Sequence, residues 1–289
     1  MWVRQSPAKR RDAVCAIEQG LRPWFLLRED RANMSLTPEQ LERYARHIML
    51  REIGGPGQRK LLDSCAVVVG AGALGGPVAT YLAAAGVGAL RIIDDDIVSL
   101  SNLQRQVQFT TADVGRPKGD VAVEQLAALN PGIALSCARQ RLISANSADL
   151  LAGADVVVDG TDSFTTRFDV NAACHELGIP LVSGAVGRWS AQVSVFRSGN
   201  TRHKPPAERL PCYRCFVRDM PDTQETCAMV GVMGPLTGMV GARMALEAVK
   251  ELTGAGQSMA GRVWLFDGLT GDSRTVKLTA DPACPVCGC

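Results

Sequence analysis

Cys65-Ala66-Val67-Val68-Val69 runs directly into Gly70-Ala71-Gly72-Ala73-Leu74-Gly75, and the fold is decided at this junction. The short apolar run predicts a buried strand over Cys65–Val69. The apolar stretch 74–85 predicts the helix that follows. Glycines at 70, 72 and 75 let the chain turn tightly and bring backbone close to a phosphate, while the free N–H groups of the helix N-terminus favour an anion. This context is the dinucleotide fingerprint. Proteins that bind NAD, FAD or S-adenosylmethionine share it, so it points to a nucleotide without naming a reaction. The sequence has no Gly-x-x-x-x-Gly-Lys-Ser/Thr run, which argues against a P-loop kinase or GTPase.

Downstream of the loop, the pattern alternates. A strand is expected at 90–93, a helix at 120–129 ending at Asn130-Pro131, a strand at 155–159, a helix over Phe164–Leu177 stopped by Gly178, and a short strand at 180–184. Strands alternating with helices imply a parallel, doubly wound sheet. The character changes after that. Residues 191–196 alternate in the antiparallel manner, and 198–230 form a long polar loop carrying three cysteines. A helix at 236–252 and strands at 262–266 and 274–278 follow. Upstream, Thr37-Pro38-Glu39-Gln40 is an N-cap, a proline at N1 and a capping-box glutamine, marking the first convincing helix. Residues 1–35, of mixed charge with a Trp24-Phe25-Leu26-Leu27 cluster, are expected to be a poorly ordered extension. Residues 36–289 are expected to be one domain, with a nucleotide-binding half at 36–190 and a distinct half at 191–289.

Composition narrows the classes. A chain of 289 residues can bury a substantial core. Its 31 basic and 29 acidic residues leave a net charge of +2, no footprint for nucleic acid or an acidic membrane. No apolar run is long enough to span a bilayer. Lys9-Arg10-Arg11 is not followed by an apolar signal segment, and ten cysteines without one suggest the cytoplasm and metal or thiol chemistry rather than disulfides.

Four of those cysteines form two pairs, Cys212/Cys215 and Cys284/Cys287. A two-residue gap lets both sulfurs of a knuckle face one ion, so two such pairs predict a tetrahedral Zn²⁺ site. The competing readings are two unrelated thiol pairs or a redox disulfide. A redox Cys-x-x-Cys belongs at a helix start, and neither pair is expected there. Cys15, Cys65, Cys137 and Cys174 read as structural, Cys289 as a spare thiol, and the three histidines show no ligand spacing.

Asp94 ends the second strand where an acidic residue can hold ribose hydroxyls, and Asp96 stands beside it. Beyond them lie Asn102, Arg105, Gln106 and Lys118. A pyrophosphate bridge at a helix N-terminus needs no such cations. A triphosphate that must be cleaved does, because charge builds on the α-phosphate oxygens and on departing pyrophosphate. Arg105 offers a bidentate fork and Lys118 a point charge.

The runs Gly70-Ala71-Gly72-Ala73-Leu74-Gly75, Asp94 through Gln106, Gly115-Arg116-Pro117-Lys118, Asp159-Gly160-Thr161-Asp162, Pro211-Cys212-Tyr213-Arg214-Cys215, Gly231-Val232-Met233-Gly234-Pro235 and Cys284-Pro285-Val286-Cys287-Gly288 together resemble the MoeB/ThiF family, bacterial relatives of ubiquitin-activating enzymes. The likeness covers residue 36 to the C-terminus. It implies an α/β, Rossmann-like doubly wound, mostly parallel sheet continuing into an antiparallel C-terminal half with a zinc-binding tetracysteine site. The reaction it implies is ATP-dependent adenylation of the C-terminal Gly-Gly carboxylate of a ubiquitin-like sulfur-carrier protein.

By that resemblance, Gly70, Gly72 and Gly75 line the phosphates, Asp94 holds the ribose, and Asn102, Arg105, Gln106 and Lys118 surround the triphosphate. Asp162 helps to hold Mg²⁺, and Arg46 reaches the phosphates, in some members from a partner subunit. Cys227 stands where some relatives bond covalently to the carrier, a role confined to a later sulfur-transfer step. Residues 191–289 would take the carrier and the zinc, a separate protein would donate sulfur, and the chain would be a homodimer; Trp189 beside Arg188 reads equally as lining the carrier's tail channel or as a packed aromatic. The helix at 236–252, apolar nearly all round, fits such pairing, with Gly238 and Gly241 allowing close approach. Two positions depart from the family pattern: Ala73, where glycine is common, and Ser163, where asparagine commonly follows the aspartate. The carrier stays open between the molybdopterin-synthase small subunit and the thiamine-pathway carrier. An NAD(P)- or FAD-dependent oxidoreductase is the alternative from another class.

Overall fold

The computed structural model describes residues 35–219 and 231–288. The expected N-terminal extension therefore lies outside the described residues except for its last position, and Cys15, Cys227 and Cys289 lie outside them too. The first helix, α1 (Pro38–Arg43), opens on a complete capping box, with Thr37 and Gln40 each accepting from the other's backbone N–H. Next come α2 (Ala45–Ile48) and α3 (Gly54–Leu62). Then β1 (Cys65–Val69), α4 (Gly75–Ala85), β2 (Ala89–Ile93), α5 (Lys118–Leu129), β3 (Ala134–Ala138), α6 (Ser144–Leu151), β4 (Val156–Asp159), α7 (Phe164–Leu177) and β5 (Leu181–Gly187) alternate. The second half holds β6 (Ser190–Phe196), the single turns α8 (Ser198–Thr201) and α9 (Tyr213–Phe216), the long α10 (Gly234–Thr253), β7 (Arg262–Asp267) and β8 (Ser273–Lys277).

The eight strands among the described residues belong to one sheet, ordered β3-β2-β1-β4-β5-β6-β7-β8. Strands β1 to β5 pair in parallel, and β5 through β8 pair antiparallel. Helices cover both faces of the parallel part, so β1 and β4 are buried throughout; β1 reads as an unbroken apolar run, and β4 as three valines ending in Asp159. On one face Val68, Val158 and Val182 pack with α4, α5 and α10. On the other, Val67, Val69 and Val157 pack with α6 and α7, and Tyr213 joins that cluster from α9.

α3, β3 and α6 were not anticipated. The α3 segment contains three glycines and a proline, and α6 is rich in serine and asparagine, so both have weak intrinsic helix preference. Tertiary packing forms α3: Leu61 is fully buried, and buried Gln58 donates to the carbonyl of Ala85 at 2.9 Å. The supposed long polar loop also contains α8, α9 and a 3-10 turn at Pro206–Glu208. The expectation that the helix at 236–252 is apolar nearly all round is corrected. Glu247 is fully buried within α10, paired with Arg243 at 3.1 Å and Lys250 at 2.6 Å. Its outward face nevertheless exposes Met239 and Leu246, two turns apart. No described helix is long and apolar enough to cross a membrane.

Candidate functional site

The strand order reverses direction around β1, which has β2 on one side and β4 on the other. In an open α/β sheet, ligands bind outside the carboxyl ends of the strands at such a point. A cavity of about 410 Å³ lies there. Gly70 leaves β1 with φ +88°, a left-handed conformation that favours glycine. Gly75 packs so closely that a Cβ would overlap the Gly70 carbonyl oxygen, and a Cβ on Gly160 would come within 2.8 Å of the Gly75 N atom. The β1 and β4 turns therefore interlock only because both lack side chains at these points.

Gly70, Gly72, Asp94, Asp96, Arg105, Gln106, Lys118 and Asp162 all line this cavity. Asp94 accepts from Ala71 N at 2.6 Å and from Asp96 N at 2.9 Å, tying the second strand to the glycine loop. Burial pushes its carboxyl above the ordinary value. The two backbone donors and Lys118 oppose that shift. Lys118 Nζ bonds Asp96 Oδ2 at 3.0 Å, and Arg105 Nη1 donates to the Ser101 carbonyl at 3.1 Å. Asp162 is exposed at the edge of the cavity, on the turn between β4 and α7. Ser163 caps α7, accepting from Thr166 N at 3.4 Å, so this hydroxyl supports the helix start that carries the turn.

Three expected residues are placed otherwise. Gly75 lies beneath the loop rather than on the cavity surface, where its role is close packing. The Asn102 carbonyl accepts from Arg105 N and Gln106 N, and its side chain does not line the cavity. Arg46 is exposed on α2, bonded to Met49 Sδ at 3.7 Å, and is absent from the lining.

The sequence reading missed Gln108 and Arg167. Gln108 Nε2 donates to the carbonyls of Ala71 and Gly72 at 2.8 and 3.2 Å, bracing the glycine loop from behind, and a Cβ at Gly76 would collide with this amide. Arg167, 6% exposed, lines the cavity and donates to the Thr161 carbonyl. Its partner in charge is Asp159, which accepts from Thr161 N, Thr161 Oγ1 and Ser183 Oγ. An arginine in the first turn of a helix that follows an Asp-x-Thr-Asp turn was the available signal.

Cys212, Cys215, Cys284 and Cys287 converge, with all four sulfurs within 4.8 Å of one another. Cys212 and Cys284 lie 3.5 Å apart, and Cys215 and Cys287 3.4 Å. With a Zn–S bond of about 2.3 Å, a tetrahedral ion separates its sulfurs by about 3.8 Å, which this donor set fits. Both contacts join one knuckle to the other, so the two pairs form a single cluster. Hydrogen bonds from Cys212 and Cys287 chiefly, and from the Asp281 N–H, pull the Cys215 thiol below its ordinary value, while the same contacts push Cys287 up, so the four sulfurs share their protons as one cluster. One expectation is corrected here: Cys212 does stand at a helix start, as N-cap of α9. That helix is a single turn, and the convergence of four sulfurs argues for a metal.

A second cavity adjoins the first, sharing Ala185, Val186 and Gln192. It runs along β5, β6 and the β7–β8 turn to Asp267, Asp272 and Arg274.

The sequence pattern of the ThiF family matches residues 44–286. The chain is 45% identical over 246 residues to the sulfur carrier protein ThiS adenylyltransferase of Escherichia coli strain K12, covering 85% of this chain and 94% of that protein. It is 41% identical over 253 residues to the molybdopterin-synthase adenylyltransferase of the same organism, covering 88% of this chain and 98% of that one. The solved structure of MccB from E. coli superposes with a TM-score of 0.72 at 22% identity, over 90% of this chain and 75% of that chain, a likeness of fold alone.

Proposed function

The chain belongs to the ThiF family, and on that premise we propose that it uses ATP to adenylate the C-terminal carboxylate of a ubiquitin-like sulfur-carrier protein. One observation carries the reading. The glycine loop, Arg105, Lys118 and Asp162 share one cavity at the strand switch point, and a groove leads from it along the antiparallel strands. The groove opens beside the cavity on the second half, so a carrier would approach from there and place its terminal glycine against the α-phosphate. The carboxylate attacks phosphorus, the bond to the β-phosphate oxygen breaks, and pyrophosphate leaves with the electron pair. The products are an acyl-adenylate and pyrophosphate.

In this reading Gly70 and Gly72 meet the phosphates, Asp94 takes the ribose, and Arg105, Gln106 and Lys118 stabilise charge on the phosphoryl oxygens. A carboxylate needs no general base, so positioning and electrostatics supply most of the rate. Asp162 would hold Mg²⁺, which supplies further charge neutralisation on the triphosphate. The tetracysteine cluster would hold Zn²⁺, which fastens the α9 segment to the C-terminus. Cys227 has no chemistry to perform until an acyl-adenylate exists, and its part belongs to a later sulfur transfer. A separate protein donates the sulfur, and the working unit is a homodimer. Between the two carriers, we favour the molybdopterin-synthase small subunit over the thiamine-pathway protein.

ATP–pyrophosphate exchange tests this, run with each carrier and with a carrier truncated of its Gly-Gly end. Carrier-dependent exchange that vanishes on truncation is expected. A nicotinamide or flavin spectrum with no exchange would replace this reading with an oxidoreductase.

A further inference from the structure

The cysteine cluster and the nucleotide cavity meet in one side chain. Tyr213 stands between Cys212 and Cys215, is 2% exposed, and lines the cavity together with Arg167. Its position is over-determined. The Tyr213 N–H donates to Asn171 Oδ1 at 2.7 Å, and its ring meets Phe168, Phe196 and Phe216 with centroids 5.8, 5.7 and 6.5 Å away. Its neighbour Arg214 stacks on Phe168 at 4.5 Å. The phenol oxygen is buried without a hydrogen bond of normal geometry among the described residues. Arg167 lines the same cavity from α7, one residue before the Phe168 ring on which Tyr213 packs and one turn before the Asn171 that holds its backbone. A buried hydroxyl without a full partner costs stability, and phenylalanine would fill the same slot without that cost. A tyrosine here therefore needs a reason beyond packing.

Arg167 supplies one. It donates to the Thr161 carbonyl, one residue before Asp162, and its charge is matched by buried Asp159 at the start of the same turn. We propose that Tyr213 is a positioning residue: anchored by the cysteine knuckle, it holds Arg167, and through it the Asp159-Gly160-Thr161-Asp162 turn, in the geometry that presents Asp162 to Mg·ATP. This rests on the functional reading above and adds to it a direct link between metal occupancy and the nucleotide site. The link is selective. The glycine loop is braced independently by Gln108 and Asp94. Disturbing Tyr213 should therefore weaken the Mg²⁺-dependent part of nucleotide binding and leave the rest.

The test uses the full chain carrying its metal, as wild type, Tyr213→Leu and Tyr213→Phe. Zinc content, Tm without ligand, calorimetric affinity for ATP with Mg²⁺ and with chelator, and the Mg²⁺ concentration for half-maximal exchange are measured. Tyr213→Leu should retain its zinc, keep wild-type affinity for ATP in chelator, and raise the Mg²⁺ requirement by roughly 3- to 30-fold, the range of such relayed couplings. Tyr213→Phe keeps the ring packing, so its Tm should stay the same or rise while its Mg²⁺ requirement still increases. A wild-type Mg²⁺ requirement in zinc-replete Tyr213→Leu overturns the proposal. If that variant does not fold, the same result in Tyr213→Phe overturns it. Equal losses of affinity with and without Mg²⁺ also overturn it, by showing general damage to the cavity. Failure of the wild-type chain to bind Mg·ATP would instead remove the functional reading on which it rests.

Discussion

Lys118 Nζ lies 3.0 Å from Asp96 Oδ2, and the two ends of this ion pair sit in opposite environments: the lysine side chain is 6% exposed and the aspartate 64%. The lysine is also the first residue of α5, where the positive end of the helix disfavours a cation. A buried cation at a helix start, whose direct ion pair is with a solvated carboxylate, is a poor choice for stability. Its setting makes sense if a polyanion completes it.

Lys118→Met should therefore separate activity from stability. We expect pyrophosphate exchange to fall by about 10²–10³, the usual effect of removing one preorganised charge from such a site. Tm should hold or rise, since relieving a cation at a helix start returns about 0.3–1 kcal/mol. A fall in Tm accompanied by near-normal exchange would make Lys118 a structural residue.

Asp162→Ala and Arg105→Ala are expected to abolish carrier-dependent exchange, each by about 10²–10³, with circular dichroism unchanged. Both residues line the cavity from turns rather than from the core, so truncation leaves little behind to repack. Near-normal exchange in either variant would withdraw that residue from the site.

The parallel half was legible because its signals are local. Five apolar residues before Gly70 define β1, and Ser163 and Gly178 bound α7 at both ends, with Gly178 in the left-handed conformation. β3 is a half-exposed edge strand without a clear apolar alternation, so nothing in its own residues announces it. Arg167 and Gln108 were missed for a related reason. Their importance comes from partners far away in the chain or in the loop they brace, such as the Ala71 carbonyl 37 residues from Gln108. Arg46 shows the converse: the family resemblance assigns it to the phosphates, but within one chain it does not reach the cavity.

The four cysteines should hold one zinc per chain by elemental analysis of freshly purified protein. Prolonged chelation should lower Tm and release about one equivalent of metal, because the cluster joins the α9 segment to a C-terminal end that lies beyond the last strand. Cys284→Ser should reproduce the loss. Protein free of zinc with an intact Cys212–Cys215 or Cys284–Cys287 disulfide would restore the redox reading.

Arg46 gives the last prediction. It is exposed on α2 and outside the cavity lining, while Met239, Leu246 and Tyr81 expose apolar surface on α10 and α4. Both facts fit a two-fold dimer in which each chain lends Arg46 to the other's phosphates. Light scattering at micromolar concentration should give twice the chain mass. Arg46→Ala and Lys118→Met should each be nearly inactive alone. If Arg46 acts across the interface, a heterodimer of the two variants has one site with both residues intact and one with neither. Mixing the variants after dissociation should then restore about a quarter of wild-type exchange, since random pairing makes half the dimers mixed and a closed two-fold pair has two sites. If Arg46 serves its own chain, every site lacks one residue and mixing restores nothing. A monomeric mass, or a mixture as inactive as its components, would confine Arg46 to its own subunit.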